Sequence, residues 1–79
     1  MTLLITLDAL QTLDAIERRH SFAAAAEELH RVPSAVSYTI NKLEDDLGVA
    51  LFDRSRRKAE LTAIGRLVLT EGRKILKAA

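Results

Sequence analysis

Between Pro33 and Gly48 the apolar residues Val36, Ile40, Leu43 and Leu47 recur at intervals of 4, 3 and 4, the spacing that lines one side of an α-helix. The opposite side carries Ser34, Ser37, Tyr38, Asn41 and Lys42, also at helical spacing. Pro33 suits the first helical position, where a missing N–H costs nothing. Gly48 follows Leu47 directly, where a left-handed residue stops a helix. The pattern predicts a helix over Pro33–Leu47 with one face committed to a core and a small, polar face left outside it.

The neighbouring segments read as partners for that helix. A first helix is predicted over Leu7–Arg19 behind a Thr6 N-cap, with Leu10, Leu13 and Ile16, helped by Leu7 and Ala9, as its buried face. Asp8 suits the positive end of its dipole. His20 and Ser21 break it, and Ser21 caps a short second helix from Phe22 to about His30. Four alanines, Ala23 to Ala26, open that helix, and such small side chains let another helix cross at close range. Beyond Gly48, Val49 to Asp53 and Ala59 to Thr62 flank a basic tip and read as a small hairpin. Thr62 can cap a fourth helix from Ala63 to the C-terminus, with Ile64, Leu67, Val68, Ile75 and Leu76 as its apolar residues. Gly72 inside it costs roughly 1 kcal/mol relative to alanine, tolerable where something packs closely.

Composition removes several classes of function. The chain has 79 residues and no cysteine, so disulfides, thiolate metal sites and cysteine nucleophiles are excluded. His20 and His30 have no acidic or thiol companions at ligand spacing, so no metal site is expected. No catalytic constellation can be assembled, so neither enzyme activity nor a cofactor is expected. No apolar stretch approaches the roughly 20 residues of a membrane span, and the N-terminus lacks the pattern of a signal peptide. A cytoplasmic protein with no membrane partner is the expectation. The net charge of +1 hides an asymmetry: residues 1–30 carry two basic and five acidic side chains, and residues 31–79 ten and six. Arg54, Arg56, Arg57 and Lys58 place four cations in five positions, the clustering that a phosphate-binding surface needs.

Helix, short alanine-rich helix, tight turn and amphipathic helix follow the order of a helix-turn-helix. The expected fold is mainly α: a winged helix-turn-helix with a three-helix core, a short β-hairpin wing and a C-terminal helix. In this arrangement the second helix clamps the third at a fixed angle, with Ala25 and Ala26 at the crossing and Leu29 and Val36 filling the wedge. The polar face of the third helix can then enter a major groove about 12 Å wide. The small residues Ser34, Ala35 and Ser37 hold the backbone close to base edges, and the helix N-terminus can donate to a phosphate. The basic tip gives a second grip, along the backbone or in a narrow minor groove. Glu44, Asp45 and Asp46 would repel phosphate, so that end should point away from DNA.

The ordered run Ser21-Phe22, Ala25-Ala26-Glu27-Glu28-Leu29-His30, Pro33-Ser34-Ala35-Val36-Ser37, Ile40, Leu43-Glu44, Leu47-Gly48-Val49, Leu51-Phe52-Asp53-Arg54, Leu61-Thr62 and Gly65 resembles the N-terminal domain of LysR-type transcriptional regulators of bacteria. The resemblance implies sequence-specific binding of promoter or operator double-stranded DNA by a homodimer on an interrupted inverted repeat. It implies a winged helix-turn-helix over residues 1–62 and, over residues 63–79, the start of a linker helix that pairs through Leu67, Val68, Ile75 and Leu76. It also implies a C-terminal effector domain beyond this fragment, through which alone a small-molecule inducer would act. By position, Pro33, Ser34, Ser37 and Tyr38 match the family's contacting stretch, Arg57 its minor-groove arginine, and Arg54 its Leu-Phe-acid-Arg signature. Arg31, Asn41, Lys42, Arg56 and Lys58 complete the expected DNA-binding set, although Arg54 could instead serve a structural ion pair.

Two departures stand out. Arg31 and Val32 replace the small apolar residue and the Ser or Thr usual in the family, so either Pro33 suffices to start the helix or Arg31 adds a phosphate contact. Tyr38 replaces the common Arg or His, so the preferred bases should differ. The alternative reading is a winged-helix module that binds protein and leaves its wing unused for phosphate.

Overall fold

A computed structural model describes residues 5–55 and 58–78. Four helices and one hairpin follow in order: α1 (Leu7–Arg19), α2 (Phe22–Glu28), α3 (Pro33–Leu47), β1 (Phe52–Asp53), β2 (Glu60–Leu61) and α4 (Ala63–Ala78). β1 and β2 pair antiparallel, Phe52 opposite Leu61 and Asp53 opposite Glu60. The expected mainly α architecture with a small hairpin is present.

The helix boundaries trace to local chemistry. The Thr6 hydroxyl accepts from the Ala9 amide at 3.1 Å, and Ser21 Oγ accepts from the Ala24 amide at 3.1 Å. Each satisfies one of the amides that a helix start leaves unpaired. His20 ends α1 in the left-handed region, at φ 56°. α2 stops at Glu28, two residues before the expected end. His30 also adopts φ 56°, and the His30 and Arg31 amides turn back to the Glu27 and Ala26 carbonyls at 3.2 and 2.9 Å. These two bonds form a Schellman closure. It usually contains glycine, and no glycine announces it here. Gly48 ends α3 at φ 71°, with the Gly48 and Val49 amides both on the Glu44 carbonyl.

The core draws buried residues from the four helices and the wing root, and half-buried Leu61 of β2 packs against it. Leu13 and Ile16 from α1, Ala25 and Ala26 from α2, Val36, Ile40 and Leu43 from α3, Leu51 and Phe52 at the wing root, and Leu69 from α4 are buried together. Ala25 and Ala26 are buried where α2 crosses its neighbours, and half-buried Leu29 packs on the same cluster. Leu7 departs from expectation. It is 47% exposed, because it lies at the rim of a groove between α1 and α4.

The seat of α4 also differs from the reading of its bulky residues. Its buried positions are Gly65, Leu69 and Gly72, spaced four and three apart. Two of the three are glycines, so the backbone of α4 comes close to its neighbours. Leu10 covers Gly72 and supplies the close packing that this glycine required. Arg73 reaches Asp14 at 2.8 Å and Arg66 reaches Glu17 at 3.6 Å, holding α4 against α1. No described helix is long and apolar enough to cross a membrane.

Candidate nucleic-acid interface

The exposed side of α3 is built by subtraction. Val36, Ile40 and Leu43 turn inward, so Ser34, Tyr38, Asn41 and Lys42 are left facing out, with Ser37 and Thr39 half-buried. Tyr38 is 67% exposed. Thr39 is on the flank and bonds to the Ala35 carbonyl at 3.0 Å. At the leading end no side chain caps α3: Val32 makes no cap hydrogen bond and Pro33 occupies the first turn. Val32, Pro33 and Ser34 form an exposed tip.

Several cations of the expected set already have partners. Arg31 pairs with Asp8 through both terminal nitrogens, one at 3.0 Å to Oδ2 and the other to Oδ1, which ties the turn before α3 to the start of α1. Lys42 lies 3.5 Å from Asp46, one helical turn on. Arg54 is held at three points. Its Nη1 donates to Asn41 Oδ1 at 2.8 Å, its Nη2 donates to Glu44 Oε1 at 3.1 Å, and its Cζ stands 5.6 Å from the centre of the Phe22 ring. Phe22 in turn meets Phe52 edge-on at 5.4 Å. The structural ion pair weighed for Arg54 is present. Lys58 is exposed, whereas Arg56 and Arg57 lie outside the described residues.

Glu44, read from the sequence only as part of an acidic run that should point away from DNA, is half-buried and joins α3 to the wing. Its Oε2 accepts from the Leu51 and Phe52 amides at 2.7 and 3.2 Å while Oε1 takes Arg54. The α3 helix therefore carries the root of the wing on one carboxylate. Only the spacing Glu44 to Arg54 could have hinted at this, and ten residues of separation carry no periodic signal.

Away from this face, α4 and α1 border an apolar groove of about 430 Å³ whose walls include Ile5, Leu7, Leu10, Leu67, Val68 and Ile75. Of the residues expected to pair, Leu67 is 60% and Ile75 53% exposed, while Val68 and Leu76 are half-buried.

Known proteins share this arrangement. Residues 7–66 match the family described as bacterial regulatory helix-turn-helix protein, lysR family. The probable HTH-type transcriptional regulator YhaJ of Escherichia coli K12 is 59% identical over 75 residues, covering 95% of this chain and 25% of YhaJ. The HTH-type transcriptional regulator PunR of the same organism is 56% identical over 69 residues, covering 87% of this chain and 22% of PunR. The chain thus spans about a quarter of the length of these relatives. Among solved structures, the BenM DBD–benA site 1 DNA complex superposes with a TM-score of 0.90 at 28% identity, over 94% of this chain and 83% of that one. The CbnR DBD–DNA complex gives 0.88 at 36%, over 94% and 85%. With the profile spanning most of its length and the helical order intact, this chain belongs to the LysR family of bacterial regulatory helix-turn-helix proteins.

Proposed function

We infer that this chain is the sequence-specific, double-stranded DNA-binding module of a LysR-type transcription regulator, with α3 in the major groove and the wing on the backbone or minor groove. The observation that carries it is the outer face of α3, where Ser34, Tyr38, Asn41 and Lys42 are exposed and Ser37 is half-buried beside them. Two structural neighbours were solved on DNA, which supports the same use of the fold here. Pro33, Ser34, Ser37, Tyr38, Asn41 and Lys42 would face the groove, and Arg56, Arg57 and Lys58 the phosphates. The pairs made by Arg31 and Arg54 favour a bracing task for those two side chains.

In this reading residues 1–62 form the reader and residues 63–79 begin a linker helix. The exposed Leu67 and Ile75, beside the apolar groove, suit pairing with a second copy of α4, and two copies would address an inverted repeat at a promoter in the cytoplasm. An inducer would act through an effector domain elsewhere in the regulator. A fluorescence anisotropy titration of duplex at rising salt tests the reading. Each phosphate neutralised releases counterions, so affinity should fall linearly on logarithmic axes. Affinity indifferent to salt would contradict it.

A further inference from the structure

The chain carries three aromatic side chains, and they are used in two ways. Phe22 and Phe52 meet edge-on at 5.4 Å against the core. Tyr38 stands outside it on α3, 67% exposed. Among the described residues none hydrogen-bonds to its hydroxyl. A helical side chain covers the turn N-terminal to its own Cα, and for Tyr38 that turn offers only Ser34 and Ala35. Neither is large enough to shelter the ring. A ring with one polar tip, left in water, is the kind of side chain enriched where partners bind.

We propose that Tyr38 is a specificity-determining residue whose ring packs on the C5 methyl of one thymine in each half-site. The major groove presents donors, acceptors and a single kind of apolar group, the thymine methyl. A phenolic hydroxyl both donates and accepts. It can therefore give to guanine O6 or thymine O4 and take from adenine N6 or cytosine N4 alike. Hydrogen bonding by the hydroxyl gives little discrimination among bases, and the ring is left as the part that discriminates. Thymine is the base whose edge rewards it. The inference rests on the placement of α3 in the major groove.

The test uses a duplex enriched from a random pool by the 79-residue chain. Each thymine of one half-site is then replaced singly by uracil, which pairs as thymine does and lacks only the methyl. Anisotropy affinities of the wild type should fall about fourfold at one position, the transfer value of one buried methyl group. Tyr38→Ala should bind the thymine and uracil duplexes equally at that position. Tyr38→Phe keeps the ring and should keep the penalty. Three results overturn the proposal while leaving selective binding intact. The wild type could show no uracil penalty anywhere in the half-site. Tyr38→Ala could weaken both duplexes by one factor and leave the penalty standing, so that the ring serves the backbone or the fold and another side chain meets the methyl. Tyr38→Phe could lose the penalty, which would make the hydroxyl the reader. If the wild type shows no sequence-selective duplex binding at all, the groove placement of α3 falls first and the proposal with it.

Discussion

A β carbon on Gly65 would lie 2.1 Å from the Leu51 carbonyl oxygen. That oxygen also accepts from the Thr62 amide at 2.9 Å, and the Thr62 hydroxyl bridges the Ala50 carbonyl and the Gly65 amide at 2.7 and 3.0 Å. The start of α4 and the wing root are therefore backbone against backbone. The nearest atoms Gly65→Ala would meet are backbone, which cannot rotate away as a side chain can, so it should destabilise by about 2 kcal/mol or more, in the upper part of the overpacking range. Gly72 makes the informative contrast. Its β carbon would meet Leu10 Cδ2 at 2.5 Å, the mobile end of a side chain beside an open groove. Relief by Leu10, together with about 1 kcal/mol of helix propensity, should keep Gly72→Ala within about 1 kcal/mol of wild type. Urea midpoints check both, and equal stability of the two variants would contradict the packing described.

Removing the Glu44 carboxylate should loosen the wing. Glu44→Ala leaves the Leu51 and Phe52 amides and Arg54 without their shared acceptor, at a cost of about 1–3 kcal/mol. Glu44→Gln keeps one oxygen for the amides and should cost less. Hydrogen exchange at the Leu51 and Phe52 amides should accelerate more than at the centre of α1. Unchanged exchange there would show that the carboxylate does not carry the wing.

Asp14 ties acid stability to the seat of α4. Burial raises its carboxyl pKa, but hydrogen bonds from Arg73 and Arg18, with their charges, outweigh this and hold it below the usual carboxylate value. A depressed acid pKa stabilises the fold fully above the unfolded value, near 4, and the contribution disappears as pH falls through the folded value. Asp14→Asn should therefore lose up to about 1 kcal/mol at neutral pH, small because the arginines are half exposed. The gap between variant and wild type should close as pH drops below about 4. A gap independent of pH would rule out this pair as its source.

If a second copy of α4 covers the groove between α1 and α4, a charge at its exposed rim should oppose association. Leu67→Glu and Ile75→Glu replace side chains that are 60% and 53% exposed, so the monomer should still fold. Sedimentation equilibrium should show each variant shifted towards monomer. An unshifted dimer would place the seam elsewhere.

The sequence made α1, α3 and the start of α4 legible because each boundary is local: a hydroxyl, a proline or a glycine acts within one turn. It also exposed the outer face of α3, since helical spacing alone separates Val36, Ile40 and Leu43 from Ser34, Tyr38 and Asn41. The early end of α2 was hidden because a histidine does there what glycine usually does. The inward face of α4 was missed because the sequence reading left out Leu69, and because counting bulky apolar residues overlooks Gly65 and Gly72, whose lack of a side chain is what permits contact. The Glu44–Arg54–Asn41 linkage joins residues ten and thirteen apart in sequence, and composition could register only the charges of Glu44 and Arg54.

The central claim is that the outer face of α3 meets base edges in the major groove, and methylation interference on a selected duplex tests it most directly. Guanine N7 lies in that groove, so methylating it within each half-site should abolish binding at one or two positions and leave flanking guanines neutral. Binding that tolerates N7 methylation throughout the half-sites would contradict the claim.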